Sequence, residues 1–348
     1  MTETAEGNIL ETDAEALVNT VNCVGVMGKG IALQFKQAYP ENFRAYERAC
    51  KAGKVRPGRV FTWPTGLMVN PRYIINFPTK RHWKGKSRIE DIEAGLDALI
   101  REVEQLQIKS IALPPLGCGM GGLDWSDVAP RIAAAFAKAP DVRVLLFAPA
   151  GAPKVEAMPV ATDKANITRA RALFIKLIEK YCLPGYRLSL LEMQKLAYFL
   201  QAAGEPLRLK FVKHHYGPYA ENLNHVLQRM EGHFVRGYGD RSKGAKIRLL
   251  PGAAQKAEDF LSQDEQAEKC LERVSRLIDG FETPYGMELL ATVHWVAKDD
   301  AQTAQDDDAI IAAVQNWSPR KRARFQPEHI RKTAKRLREE GWLTPELP

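Results

Sequence analysis

Three stretches of the 348-residue chain hold residue types whose spacing could do chemistry. Residues 19–36 read NTVNCVGVMGKGIALQFK and residues 114–125 read PPLGCGMGGLDW. In each, glycines follow a strand-like run and precede a helix-like one. Glycines there let backbone N–H groups approach an anion, because unpaired donors and the helix dipole point toward it. Two such loops could grip two phosphates of one diphosphate. The plainer reading is that they make tight turns. Known phosphate signatures do not fit: Gly25, Gly28, Lys29 and Gly30 lack the Walker spacing and its hydroxyl, and Leu33 stands where a dinucleotide fingerprint needs its third Gly.

The third stretch, NFPTKRHWKGKSR over 76–88, packs five cations around His82 and Trp83. It reads as a solvated basic loop, as a clamp in which Trp83 stacks on a base while Arg81 and Lys84 meet phosphates, or as the seat of a nucleophilic Lys80. An ordinary lysine at neutral pH holds its free amine at a cost of about 4.6 kcal/mol. Neighbouring cations (Arg81, Lys84, Lys86) and partial burial both lower that cost. His82 is an alternative acid–base residue.

These loops need a scaffold. The length predicts two domains. Strand-like runs at 16–21, 59–62, 73–77, 109–113 and 142–147 alternate with helix-like runs at 30–38, 41–52, 88–106 and 125–138. That alternation predicts an α/β unit over residues 1–150, with its glycine loops at the carboxyl ends of strands. Residues 151–163, rich in Ala and Pro, read as a linker. Residues 164–348 turn mainly helical, with apolar three- and four-residue spacing in ALFIKLIEKYC, SLLEMQKLAYFLQAAG and NLNHVLQRM, and further helices at 253–278, 287–297 and 307–315. Leu196, Tyr198 and Phe199 are expected in helix core. A Gly-rich piece covers 237–244, an acidic run covers 299–308, and nine Arg and Lys crowd 320–338, which reads first as a solvated helix face.

A formal charge of +8 is compatible with a polyanionic partner without requiring one. Five cysteines without C-x-x-C spacing argue against a disulfide framework and against zinc, so neither a metal nor a cofactor is expected. No apolar run suits a membrane segment, and a soluble cytoplasmic protein is expected.

The glycine loop at 25–31, the FPTKRHWKGKS lysine loop and LPPLGCGMGGLDW resemble, in order and spacing, the macrodomain of the DarG antitoxins, a branch similar to terminal ADP-ribose glycohydrolases. The resemblance covers residues ~5 to 150 and implies a mixed sheet between helices. It implies ADP-ribose as ligand, with Gly28, Lys29, Gly30 and Ile31 on the diphosphate and Asn22 facing the distal ribose. Gly117, Cys118, Gly119, Met120 and Gly121 would close from the other side, and Lys80 would be catalytic. Asn8 and Ile9 fall at the adenine end, where many macrodomains have Asp. Terminal glycohydrolases pair their lysine with an Asp, and that position here is Gly121. Asp124, three residues on, reads first as the cap of the next helix, with Asp127 in its first turn, and second as a carboxylate in place of that Asp.

SLLEMQKLAYFLQ followed by HHYGPYAENL resembles a helical domain associated with antitoxins. Together the resemblances imply an antitoxin that removes ADP-ribose from a base of single-stranded DNA, expected to be thymidine, and that binds a DarT-like ADP-ribosyltransferase toxin through residues 164–348, with the acidic run as one candidate contact. Two other classes stay open: a non-catalytic ADP-ribose reader, and a plain single-strand-binding protein built on the Trp83 loop.

Overall fold

The computed structural model describes residues 2–242, 244–298 and 301–343. They form two compact units, one of residues up to 163 together with 239–242, the other of the remainder.

In the first unit, β1 (Thr2–Ala5), β2 (Ala16–Asn22), β3 (Phe61–Pro64), β4 (Tyr73–Lys80), β5 (Ser110–Leu113) and β6 (Arg143–Phe147) make one six-stranded sheet in the order β1-β6-β5-β2-β4-β3. All pairings are parallel except β3 with β4, so the sheet is mixed. β2 and β4 are buried along nearly their whole length, which is why they read as apolar runs rather than as alternation. The helices are α1 (Gly30–Ala38), α2 (Pro40–Lys51), α3 (Ile89–Gln105) and α4 (Trp125–Phe136). On α3, Ile92, Leu96, Leu99 and Val103 recur at helical spacing and pack with Ile75 and Phe77 of β4 and Ile132 and Phe136 of α4. A second apolar cluster, with Leu17, Phe35, Ile74 and Phe147, fills the other face of the sheet.

Three buried asparagines tie the middle of this sheet to α2. Asn19 donates to Asn76 Oδ1 at 3.0 Å, and Asn76 donates to Asn42 Oδ1 at 2.7 Å and to the Phe61 carbonyl at 3.1 Å. Asn19 and Asn76 are register partners. A one-residue slip would strand these buried amides without partners, so the network pins the register on which the site depends.

The α/β alternation expected over 1–150 is present, with shifted ends: the strand expected at 59–62 pairs at 61–64, where Phe61 meets Asn76. The edge strand β1 was not foreseen, since TETA carries no apolar pattern. Residues 151–163 lie in the first unit rather than free of it: Met158 is 1% exposed, and Ala161 N–H donates to the Gln37 carbonyl.

The second unit is mainly helical. It comprises α5 (Arg169–Tyr181), α6 (Leu190–Ala202), a hairpin of β7 (Phe211–His214) and β8 (Gly217–Ala220), α7 (Leu223–Met230), a short pair β9 (Val235–Arg236) and β10 (Arg248–Leu249), α8 (Ala253–Leu261) and α9 (Glu265–Ile278). Then come α10 (Pro284–Lys298), α11 (Ala301–Gln305), α12 (Asp307–Gln315), α13 (Pro319–Arg324) and α14 (Pro327–Glu339). α6 starts with a capping box between Ser189 and Glu192. Leu196, Tyr198 and Phe199 are buried, as helix core requires.

The basic run at 320–338 is not one solvated face. Pro327 restarts the chain as α14, and Lys321 is fully buried, donating to Glu288 Oε1 at 2.7 Å and to Thr292 Oγ1 at 2.9 Å. Arg320 also pairs with Glu288, while Arg338 pairs with Asp307 at 2.6 Å and Arg331 with Asp308 at 3.4 Å. The acidic run, a solvated loop by its plainer reading and a candidate toxin contact by the other, is thus partly engaged inside its own unit, with Asp306 capping α12. Asp299 and Asp300 of that run lie outside the described residues.

Candidate active site

Parallel strands put the carboxyl ends of β2, β4 and β5 on one edge of the sheet, and the three sequence stretches are the loops that leave those ends. Asn22 and Lys80 close their strands as register partners, just past an irregularity after Val21. The structure therefore brings Asn22, the 24–30 loop, Lys80 and the 117–122 loop to one edge.

Lys80 is partly buried. Its ammonium donates to the Trp83 carbonyl at 3.0 Å and to the Met120 carbonyl at 3.1 Å, and no carboxylate among the described residues pairs with it. Burial pulls its pKa below the usual lysine value. The cation effect expected from Arg81 is not what lowers it. Arg81 is held by Asp91, with Nε to Oδ2 at 3.1 Å and Nη2 to Oδ1 at 3.0 Å, so its charge is largely neutralised. Arg81 thus stands at the loop as half of an ion pair, its side chain still 60% exposed.

Sequence reasoning missed what joins the lysine loop to the second glycine loop. Ser87 N–H donates to the Gly121 carbonyl at 3.0 Å, and the buried Ser87 hydroxyl faces the same turn with no partner among the described residues. A Cβ at Gly121 would stand 2.2 Å from both the Gly117 oxygen and Ser87 Oγ. No side chain fits there, so the Asp that terminal glycohydrolases carry is excluded by packing. At Gly117, with φ +74°, a Cβ would crowd Leu123 at 2.9 Å and Ser87 at 3.1 Å, whereas a Cβ on Gly119 would meet nothing within 4 Å. Cys118 donates to the Leu116 carbonyl, and burial raises its thiol pKa. Met120 is exposed. Asp124 occupies the N-cap position of α4, but its side chain makes no capping bond, which corrects that part of the expectation.

Asn22 does more local work than its assigned role at the ribose. It is 7% exposed, its Oδ1 accepts from Val24 and Val26 N–H at 3.0 and 3.3 Å, and its Nδ2 donates to the Val26 carbonyl. It shapes the loop that carries Gly28, Lys29, Gly30 and Ile31. Gly30, at φ +62°, opens α1, and its N–H donates to the Asp240 carbonyl at 2.9 Å. Gln34 Nε2 reaches the Asp240 carboxylate at 3.3 Å. The Gly-rich piece around 239–242 therefore occupies one of the donors expected to meet diphosphate.

At the β1 end, Asn8 Oδ1 caps the 3₁₀ turn Ile9–Glu11 through Leu10 N–H at 3.1 Å, and Nδ2 donates to the Ala157 carbonyl at 2.7 Å. Ile9 is buried beside it. An amide oxygen has a second lone pair, so Asn8 can still accept from an adenine amine.

His82 and Trp83 stack with ring centroids 5.5 Å apart, and Lys84 Nζ lies 5.0 Å from the Trp83 ring centroid. Trp83 is 49% exposed, an aromatic face presented beside Lys80. Among the described residues no cluster of three His, Cys, Asp or Glu could hold a metal ion, the cysteines are free, and no helix is long and apolar enough to cross a membrane.

A family model described as Macro domain matches residues 18–132. A DNA ADP-ribosyl glycohydrolase of Thermus aquaticus is 47% identical over 340 residues, covering 98% of this chain and 94% of that protein. One of Mycobacterium tuberculosis is 44% identical over 338 residues, covering 93% and 95%. A DNA ADP-ribosyl transferase–DNA ADP-ribosyl glycohydrolase fusion protein of Thermosipho africanus is 35% identical over 140 residues, covering 36% of each chain.

Proposed function

The chain belongs to the DNA ADP-ribosyl glycohydrolase family, and we propose that it removes ADP-ribose from a modified base, thymidine, of single-stranded DNA in the cytoplasm. The observation that carries this reading is Lys80: a partly buried amine that ends β4 opposite Asn22 and is tied through Met120 to the second glycine loop. The 117–121 loop and the donors of the 28–31 loop other than the Gly30 N–H, which Asp240 takes, are suited to a diphosphate. Asn8 and Ile9, after β1, suit the adenine end of ADP-ribose.

In this reading the distal ribose lies over the β2 and β4 ends, with its anomeric carbon at Lys80. The neutral amine attacks that carbon or activates water to do so. The bond from the anomeric carbon to the base nitrogen breaks, the base recovers a proton, and water ends as the anomeric hydroxyl of free ADP-ribose. With Gly121 unable to carry an acid, the amine acts without a paired carboxylate at that position. Trp83, His82 and Lys84 offer a stacking face and charge for the strand that carries the modification.

The fusion of transferase and glycohydrolase in the Thermosipho relative supports pairing with a DarT-like transferase. The protein is then an antitoxin that reverses the toxin's product, while the helical unit binds the toxin. The test is incubation of the full chain with ADP-ribosylated single-stranded DNA and detection of free ADP-ribose. Binding without release would leave the non-catalytic reader, and binding that follows salt but not ADP-ribose would leave a single-strand-binding protein.

A further inference from the structure

The sheet order arranges the proposed ligand along one edge. From β1 toward β3 come Asn8 and Ile9 after β1, the 117–121 loop after β5, the 24–30 loop after β2, and Lys80 at the end of β4. β3 runs antiparallel to β4 with Phe61 opposite Asn76, so the chain that enters β3 lies at this same edge, one step past Lys80.

A cavity of about 470 Å³ opens at that next step. Val55, Arg56 and Pro57 of the segment leading to β3 form one wall, and Ala94 of α3 faces in from another. Cys23 and Arg81, the residues that directly follow Asn22 and Lys80, complete it together with Asp91. Its size falls within the range of small-ligand sites. Val55, Pro57 and Ala94 give it an apolar body. Asp91 clamps Arg81 in a fixed plane, leaving the exposed Arg56 at the rim as a cation that no carboxylate among the described residues pairs with; its Nε donates to the Gly53 carbonyl. Burial pushes the Cys23 thiol up to about 11, so that wall is neutral at physiological pH.

We propose that this cavity is the site for the nucleotide that carries ADP-ribose, its base against Val55, Pro57 and Ala94 and its phosphate at Arg56. The inference rests on the ADP-ribose reading above, because that reading places the anomeric carbon at Lys80 and hence points the attached base away from the diphosphate loops, toward β3. An apolar slot rimmed by one uncompensated guanidinium matches a base with a flanking phosphate better than it matches a second sugar or a peptide. It also explains why Arg81 is tied down: a guanidinium fixed by Asp91 lines the slot without swinging into the reacting centre.

The test measures binding in the full chain carrying Lys80→Ala, which prevents turnover. The probes are free ADP-ribose and a single-stranded oligonucleotide bearing one ADP-ribosylated thymidine. The modified oligonucleotide should bind about tenfold tighter than ADP-ribose. Arg56→Glu, which removes the cation, and Ala94→Phe, which fills the slot from the outer surface of α3, should each erase that gain with ADP-ribose affinity unchanged, and Arg56→Lys should restore most of it. No gain in the parent, or a gain that survives both variants, overturns the proposal. If none of the proteins binds ADP-ribose, the reading of function falls and this inference falls with it. If the gain is present and lost as described while the wild-type chain releases no ADP-ribose, hydrolysis is wrong and the nucleotide site stands.

Discussion

Lys80 Nζ donates to the Met120 carbonyl at 3.1 Å, so the lysine that ends β4 is held by the loop that leaves β5. The ammonium form makes this bond best, and burial opposes that form. In the proposed reaction this ammonium must lose its proton, and burial works in that direction.

Lys80→Ala should reduce release of ADP-ribose from modified DNA by about 100-fold or more, while calorimetric binding of ADP-ribose stays close to wild type. The expected split follows from the proposed roles, binding by the glycine loops and turnover by the amine. Wild-type turnover in this variant would shift the chemistry to His82 or Asp124.

The rate should rise with pH and level off below the pKa of an ordinary lysine, because the working form is the neutral amine and burial lowers its pKa. Lys80→Arg keeps the charge but offers no neutral amine, and should be inactive across the range. A flat profile for the wild type between pH 6 and pH 9, once product release is shown not to limit, would remove the amine from the chemical step.

Two neighbouring glycines should fail differently. Gly119→Glu has room for its side chain, so the protein should fold and melt normally but lose ADP-ribose affinity by more than about tenfold, since a carboxylate would face the diphosphate path. Gly121→Ala puts a Cβ 2.2 Å from the Gly117 oxygen and Ser87 Oγ, so it should also distort the lysine loop and lower the melting temperature. Equal melting of both variants with the wild type would show that the turn yields more easily than its packing indicates.

Glu288→Gln removes the buried carboxylate that, among the described residues, pairs with Lys321 and Arg320, with Arg324 3.7 Å away. Lys321 then keeps a buried charge without a counterion, at a cost of about 3 kcal/mol. Thermal unfolding should show loss of the helical unit first, with ADP-ribose affinity of the full chain retained. Simultaneous loss of both would mean that the units unfold as one.

His294 of α10 is buried against Tyr198 and Phe199 of α6, shares one hydrogen bond with Tyr198 OH at 2.7 Å, and has its pKa lowered by burial to about 3. An unfolded histidine titrates near 6.5. Between those values the unfolded chain holds the extra proton, so stability is intact above pH 6.5 and falls as pH falls, by about 2 kcal/mol at pH 5. His294→Gln should flatten that dependence in melts at pH 7.5 and pH 5. An equal slope in wild type and variant would show that other groups govern acid unfolding.

Local chemistry determined much of this molecule. The start of α1 at Gly30, the span of α12 at 307–315, the two glycine turns and the alternation of the first unit follow from short-range rules: glycines where a Cβ is not tolerated, and apolar spacing matched to helix or buried strand. The resemblance carried by the same stretches named Lys80 and its loops. What tertiary structure decided are pairings between groups far apart in the chain. Asn19, Asn42 and Asn76 read as three unrelated polar residues until the sheet brings them together. Arg81 read as one cation among five until Asp91 of α3 arrived beside it, and Ser87 had no visible part until it closed on Gly121. The basic and acidic runs at the C-terminal end looked like free surfaces, yet Arg331 and Arg338 meet Asp307 and Asp308. A charge or an amide has no partner in a sequence. It acquires one when the fold closes the distance, and burial then makes leaving it unpaired too costly.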